Sequence, residues 1–151
     1  MSIKKLDIGD ISKTKRPILG DEVPVEVFRL LRIIGMYSIL GEGSGYTLYL
    51  AGKELGVELD IKTVEELATL LKKLKIGILM VVESSDNKIV VRVDECITCA
   101  GLPDIGKMIC HFEGGIIAGA LEKILKRPTK AIQTKSHTSG FDHCEFHIHL
   151  L

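Results

Sequence analysis

Four cysteines carry the most chemistry in this sequence. Cys96-Ile97-Thr98-Cys99 is a C-x-x-C pair, Cys110 is followed at once by His111, and Cys144 comes later. Two thiolates so spaced can share one tetrahedral ion, with Cys110 and Cys144 as candidates for the remaining corners, and zinc suits an all-sulfur set. The same spacing could serve a redox dithiol, but that chemistry favours a first Cys at a helix N-terminus within a β-α-β unit. Here the pair leaves a β-branched run, Ile89 to Val93. Zinc knuckles usually supply two close pairs, whereas 33 residues lie between Cys110 and Cys144, so small buried apolar thiols are the competing reading. Cys110 near a helix start could have a lowered pKa, yet no substrate-positioning motif accompanies it, and no catalytic residue is assigned.

Other chemistry-bearing residues are weaker candidates. Alternation along the last apolar run puts Cys144, Phe146, Ile148 and Leu150 on one strand face and His143, Glu145, His147 and His149 on the solvent side. His111 and His137 are therefore the better histidine ligands. Gly41-Glu42-Gly43-Ser44-Gly45 lacks the preceding strand and the Lys-Ser/Thr of a phosphate-cradling loop, and reads as a helix–helix connection.

The elements that must position these groups follow from periodicity. Residues 1–22 suggest an N-terminal arm or a short edge strand around Ile18 and Leu19. Pro24 and the spacing of Val27, Phe28, Leu30, Leu31, Ile34 and Tyr37 predict an amphipathic helix over about 24–40. A second helix covers Tyr46 to Gly56, and Thr63 with Glu66 forms a capping box that opens a third over 64–74. Ile76–Val82 and Ile89–Val93 flank turn residues 84–87 and read as an antiparallel hairpin. A fourth helix spans Lys107 to Leu125, where Gly114, Gly115 and Gly119 leave a stripe that another backbone could approach closely. Ala131 and Ile132 mark one more strand before the last. The expectation is an α+β fold, a twisted antiparallel sheet of about four strands packed against about four helices, in one domain over 23–151.

Composition narrows the function. The 151 residues include 20 Lys plus Arg and 20 Asp plus Glu, a balance that argues against nucleic acid as a partner and is compatible with self-association. Lysines 4, 5, 13 and 15 read as a solvated arm. No stretch approaches the roughly 18 apolar residues of a membrane span, and no signal peptide is legible, so a cytoplasmic protein with reduced thiols is expected.

Three motifs then meet a known family: Val93-Asp94-Glu95-Cys96; Cys110-His111-Phe112-Glu113-Gly114-Gly115-Ile116-Ile117-Ala118-Gly119; and Gly140-Phe141-Asp142-His143-Cys144-Glu145-Phe146. Together they resemble the 4-vinyl reductase domain family, with its helix-opening Cys, two helix glycines and terminal G-x-x-x-C-x-F. Tyr46 to Gly56 is similar to the family's N-terminal helix, so the resemblance covers most of the chain after residue 20. It implies a fold shared with TRAPP vesicle-tethering subunits and haem-based nitric-oxide sensors, usually dimeric. Similar domains in aromatic-compound sensors bind a phenol-like ligand beside a structural zinc. There the zinc is held by the helix-opening Cys, the terminal Cys, and a Glu and a Cys on the penultimate strand. The first two correspond to Cys110 and Cys144, whereas the others fall on Gln133 and Ser136, which are poor zinc ligands. Either the site is lost or Cys96, Cys99 or His137 replaces them.

The expected function is binding or sensing of a small hydrophobic or aromatic molecule by a homodimer with a cysteine-based zinc site at Cys96, Cys99, Cys110 and Cys144. A pocket needs apolar walls and a few polar anchors. Phe28, Tyr37, Tyr46, Tyr49 and Phe112 could supply walls, and Cys96 and Cys99 a soft anchor. Two alternatives stand beside it. One is tetrapyrrole vinyl reduction, which the family name implies although no nicotinamide or flavin motif is present. The other is a dimeric interaction scaffold with an exposed apolar face.

Overall fold

The computed structural model describes residues 7–151, apart from the side chain of Ile8. A single helical turn, α1 (Ile8–Ile11), is followed by an exposed stretch in which Ile18 and Leu19 sit in a turn at 93% and 73% exposure, not in an edge strand. Lys4 and Lys5 of the expected arm lie outside the described residues.

The expected first helix exists but is interrupted. It runs as α2 (Val25–Arg29), a π-helical segment (Leu30–Gly35) and α3 (Met36–Leu40). Pro24 is its N-cap, where the missing N–H costs no hydrogen bond. The stripe read as its buried face is largely exposed: Val27, Leu30, Leu31, Ile34 and Tyr37 all point at least partly to solvent, and Arg32 is the one buried residue. The π segment explains part of the misreading, because a wider turn breaks the 3.6-residue phase on which the stripe was counted.

A short 3₁₀ turn (Gly41–Gly43) leads into α4 (Ser44–Glu58), and α5 (Val64–Lys73) follows. Thr63 caps α5 by accepting the Glu66 backbone N–H at 3.1 Å. The Glu66 carboxylate reaches back one residue further than a capping box requires, to the Lys62 N–H at 2.6 Å.

The sheet is β1 (Ile78–Ser84), β2 (Lys88–Asp94), β3 (Thr129–Lys135) and β4 (Cys144–Leu150), antiparallel throughout in the order β1-β2-β4-β3. Between β2 and β3 comes α6 (His111–Leu125), which starts four residues later than the sequence suggests because 107–110 are extended loop. The register Ile89↔Ile148, Val91↔Phe146 and Val93↔Cys144 gives the sheet one apolar face. Ile116, Ile117, Ala120 and Leu121 of α6 and Leu67 and Leu71 of α5 belong to the same buried core.

The glycine stripe has a partner. A Cβ on Gly115 or Gly119 would lie 2.1 Å from the carbonyl oxygens of Tyr49 and Lys53. On the facing helix, a Cβ on Gly52 or Gly56 would lie 2.1 and 2.2 Å from those of Phe112 and Ile116. α4 and α6 thus meet backbone to backbone, and α6 is carried across the sheet with its N-terminus, Cys110, at the end of the apolar row. Among the described residues, no helix is long and apolar enough to cross a membrane.

Candidate metal centre

The four cysteines reach one point from three segments of the chain. β2 ends at Asp94, and Glu95, with φ 51° in the left-handed region, turns the chain inward so that Cys96 and Cys99 occupy a tight turn. Cys110 is the N-cap of α6, and Cys144 opens β4 on the core side. All four are buried free thiols. Their sulfurs lie 3.6 Å apart for Cys96 and Cys110, 3.6 Å for Cys110 and Cys144, and 3.2 Å for Cys99 and Cys144. All four lie within 4.8 Å of one another. A tetrahedral zinc with Zn–S bonds of roughly 2.3 Å has sulfur–sulfur edges of about 3.8 Å, so the spread of separations fits an ion of that size.

The mutual sulfur bonds split the four thiols, lowering the pKa of Cys96 and Cys99 and raising that of Cys110 and Cys144. Thiol donation from Cys110, then from Cys144 and Cys96, lowers the Cys99 pKa, and the backbone N–H of His137 acts in the same direction. Cys110 is raised, chiefly through its bond with Cys144. Gln133 binds two sides of the cluster: its Nε2 donates to Cys144 Sγ at 3.6 Å and its Oε1 accepts the Cys110 backbone N–H at 3.1 Å. Such outer hydrogen bonds orient ligands and tune a metal centre.

Gln133 is therefore a supporting group beside the ligands, and Ser136 is buried against Thr138, hydroxyl to hydroxyl at 2.9 Å. His137 turns its ring away, with Nδ1 accepting the Gly101 N–H at 3.3 Å. His111 also stands outside the sulfur cluster, its pKa lowered by burial and by Arg32. Cys96 and Cys99, not His137, lie with Cys110 and Cys144 in the sulfur cluster.

A polar group missed by the sequence reading adjoins the turn. The side chains of Arg32 and Glu113 are 8% and 2% exposed and pair at 3.2 Å; Thr98 Oγ1 donates to the other Glu113 oxygen. Burial pushes the Glu113 carboxyl up to about 7, the Cys96 sulfur adds to the rise, and Arg32 and Thr98 oppose it. Arg32 also lies over the Phe112 ring, 5.5 Å from its centroid. One signal for this group was present in the sequence: Glu113 sits in an otherwise apolar helix, a position that demands a partner.

The pocket residues read from sequence do not converge as a set. Cys96 and Cys99 join the sulfur cluster, and Phe112 lies under Arg32. Tyr46 is 71% exposed, and the Tyr49 hydroxyl accepts the Ala131 N–H at 3.0 Å. A cavity of about 1260 Å³ lies elsewhere, between α1, α4 and α5, with Leu50, Leu55, Leu59, Leu70 and Leu74 among its walls. None of the seven residues predicted as walls or anchors lines it. Its signal was the apolar spacing of α4 and α5, which predicted the two helices but not a cavity between them.

Two uncharacterized proteins of Methanocaldococcus jannaschii, MJ1642 and MJ0150, are 37% and 38% identical over 88% and 94% of this chain and 81% and 86% of their own. The crystal structure of a vinyl-4-reductase family protein from the same organism superposes with a TM-score of 0.74 at 22% identity, over 100% of this chain and 99% of that one. The phenol-responsive sensory domain of the transcription activator PoxR, solved with phenol, gives 0.62 at 12% identity over 85% and 75%. A trafficking protein particle complex subunit 3 from Naegleria fowleri, covalently bound to palmitic acid, gives 0.62 at 15% over 84% and 95%. These structures share the fold. The family model of the 4-vinyl reductase domain matches residues 89–150, the stretch that holds all four cysteines, and the chain belongs to the 4-vinyl reductase domain family.

Proposed function

We propose that residues 23–151 form a small-molecule-binding or sensing domain stabilised by a structural zinc held by Cys96, Cys99, Cys110 and Cys144. The observation that carries the metal part is the convergence of four buried sulfurs from three chain segments, with amide donors aimed at two of them. An ion bound there would supply a tetrahedral cross-link among the β2 turn, the start of α6 and the start of β4. The residues themselves hold the turn, and Gln133 orients two of the ligands.

The ligand part is supported by the fold shared with a phenol-bound sensory domain and by the cavity beside α4 and α5, large enough for a drug-sized molecule and lined by leucines together with charged groups such as Lys53, Glu54 and Asp60. The leucine part of that lining suits a hydrophobic or aromatic molecule. The outward apolar residues of 25–40 support a homodimer, and four free thiols fit a reducing compartment such as the cytoplasm.

Native mass spectrometry of protein purified without chelator, then of the same sample denatured, tests the reading. One metal per chain is expected, together with any ligand mass that denaturation releases; a metal-free spectrum overturns the centre. A thermal-shift panel of phenols, hydrocarbons and porphyrins should raise Tm for at least one class, because a ligand that binds only the folded state stabilises it. A flat panel overturns the binding reading.

A further inference from the structure

The helical stretch 25–40 is not held by apolar burial. Val27, Leu30, Leu31 and Ile34 are between 49% and 68% exposed, and Arg32 is the single buried residue of α2, the π segment and α3. Two arginines hold it instead, and both end on the cysteine-bearing turn or beside it. Arg29 donates from Nε to the carbonyl of Ile97 at 2.9 Å and from Nη2 to that of Ala100 at 2.8 Å. Arg32 reaches the Ile109 carbonyl at 3.5 Å, next to Cys110, and Glu113, whose other oxygen is bound by Thr98.

The two carbonyls that Arg29 grips belong to a turn closed by its own backbone. Ala100 N–H donates to Cys96 O and Leu102 N–H to Cys99 O, each at 2.9 Å. A guanidinium is a rigid planar fork, so it binds both carbonyls only while the turn keeps them at that spacing. The turn is further anchored by the Ile97 N–H on the Ile76 carbonyl at 2.9 Å and the Gly101 N–H on His137 Nδ1 at 3.3 Å, and its two sulfurs lie in the four-cysteine cluster.

We infer that Arg29 is a positioning residue that couples the four-cysteine centre to the docking of residues 25–40. With an ion drawing the sulfurs together, the turn presents both carbonyls and the helical stretch is held. Without it, the turn relaxes, the fork loses one or both acceptors, and a stretch with little apolar burial loosens. By linkage the coupling is reciprocal, so removing the fork weakens metal binding by the same factor that the metal gains from docking. This rests on the metal reading above.

Hydrogen exchange on the full chain, zinc-loaded and zinc-stripped, tests it, with a peptide spanning 25–40 as reporter and one spanning 64–73 as control. Stripping is expected to speed exchange in 25–40 by about tenfold or more while 64–73 changes little, as expected of a local opening. In the zinc-loaded protein, Arg29→Gln should loosen 25–40 alone, retain one metal per chain and keep the cobalt(II)–thiolate absorption of a sulfur-only set. Its metal affinity should fall by about 5- to 150-fold, the usual range of coupling. Arg29→Lys, which can reach one carbonyl, should restore part of the protection. Identical exchange in 25–40 before and after stripping overturns the coupling, as does full protection in Arg29→Gln. If stripping loosens both peptides alike, the zinc-loaded Arg29→Gln protein decides. Failure to bind zinc or cobalt, seen by mass before any exchange, overturns the metal centre and this coupling with it.

Discussion

Helix α6 is held on two sides by opposite means. Against α4 it lies backbone on backbone, four glycines leaving no room for a Cβ, beside one partly exposed ion pair, Lys53 with Glu122 at 2.9 Å. Against the stretch 25–40 it offers one buried ion pair, Glu113 with Arg32, and the neighbouring turn offers carbonyls to Arg29. The first contact depends chiefly on shape, its ion pair being partly exposed. The second depends on charge, protonation and the placement of a loop, so solution conditions can alter it. A domain that responds to its surroundings needs a contact of the second kind resting on one of the first.

The largest effect should come from breaking the seam. Gly115→Leu forces a side chain into the Tyr49 carbonyl and should cost about 4–5 kcal/mol or prevent folding, read from the denaturant midpoint. Wild-type stability after that substitution would remove the rigid half of the comparison. Stripping the metal comes next. At free zinc a thousandfold above Kd the bound ion contributes about 4 kcal/mol, so chelation should lower Tm and Cys99→Ser should make the protein insensitive to chelator.

Glu113 gives a pH-dependent effect of similar order. Its folded pKa of about 7 lies above the ordinary 4.5, so the fold favours the neutral carboxyl. That contribution is fully present below pH 4.5 and is lost as pH rises through 7. The stability of Glu113→Gln relative to wild type should therefore rise by about 3 kcal/mol across this window, measured by paired denaturations. A difference independent of pH would mean that the Arg32 charge fully compensates burial.

The smallest effect should be at the exposed face of 25–40. In a monomer, Leu30→Ser should change stability by less than about 0.5 kcal/mol. A larger loss that grows on dilution would show that a second copy covers this face.

Most of the fold was legible because its signals are local. The hairpin, the alternation of β4 and the Thr63 cap depend on neighbours a few residues apart, and each formed, the first hairpin strand two residues further along than the pattern put it. The glycine stripe of α6 was legible as a site of close approach, though not its partner, since Gly52 and Gly56 are unremarkable in a helix until two backbones are superimposed. The π segment left no signal that a 3.6-residue count could detect. The cysteines were legible as a set, but their convergence depends on the turn at Glu95 and the register that puts Cys144 beside Val93, both properties of the folded sheet. The walls of a pocket were the least legible part, since exposed and half-buried tyrosines read alike in sequence.

The backbone seam also fixes how small this domain can be made. The segment that matches the family model begins at residue 89 and includes α6, whereas α4, the helix that fills its glycine groove, ends at Glu58. A fragment starting at residue 89 would keep every sulfur and leave a strip of bare helix backbone facing water. The unit that folds, and that any transplant into another protein must carry, therefore reaches back at least to Ser44.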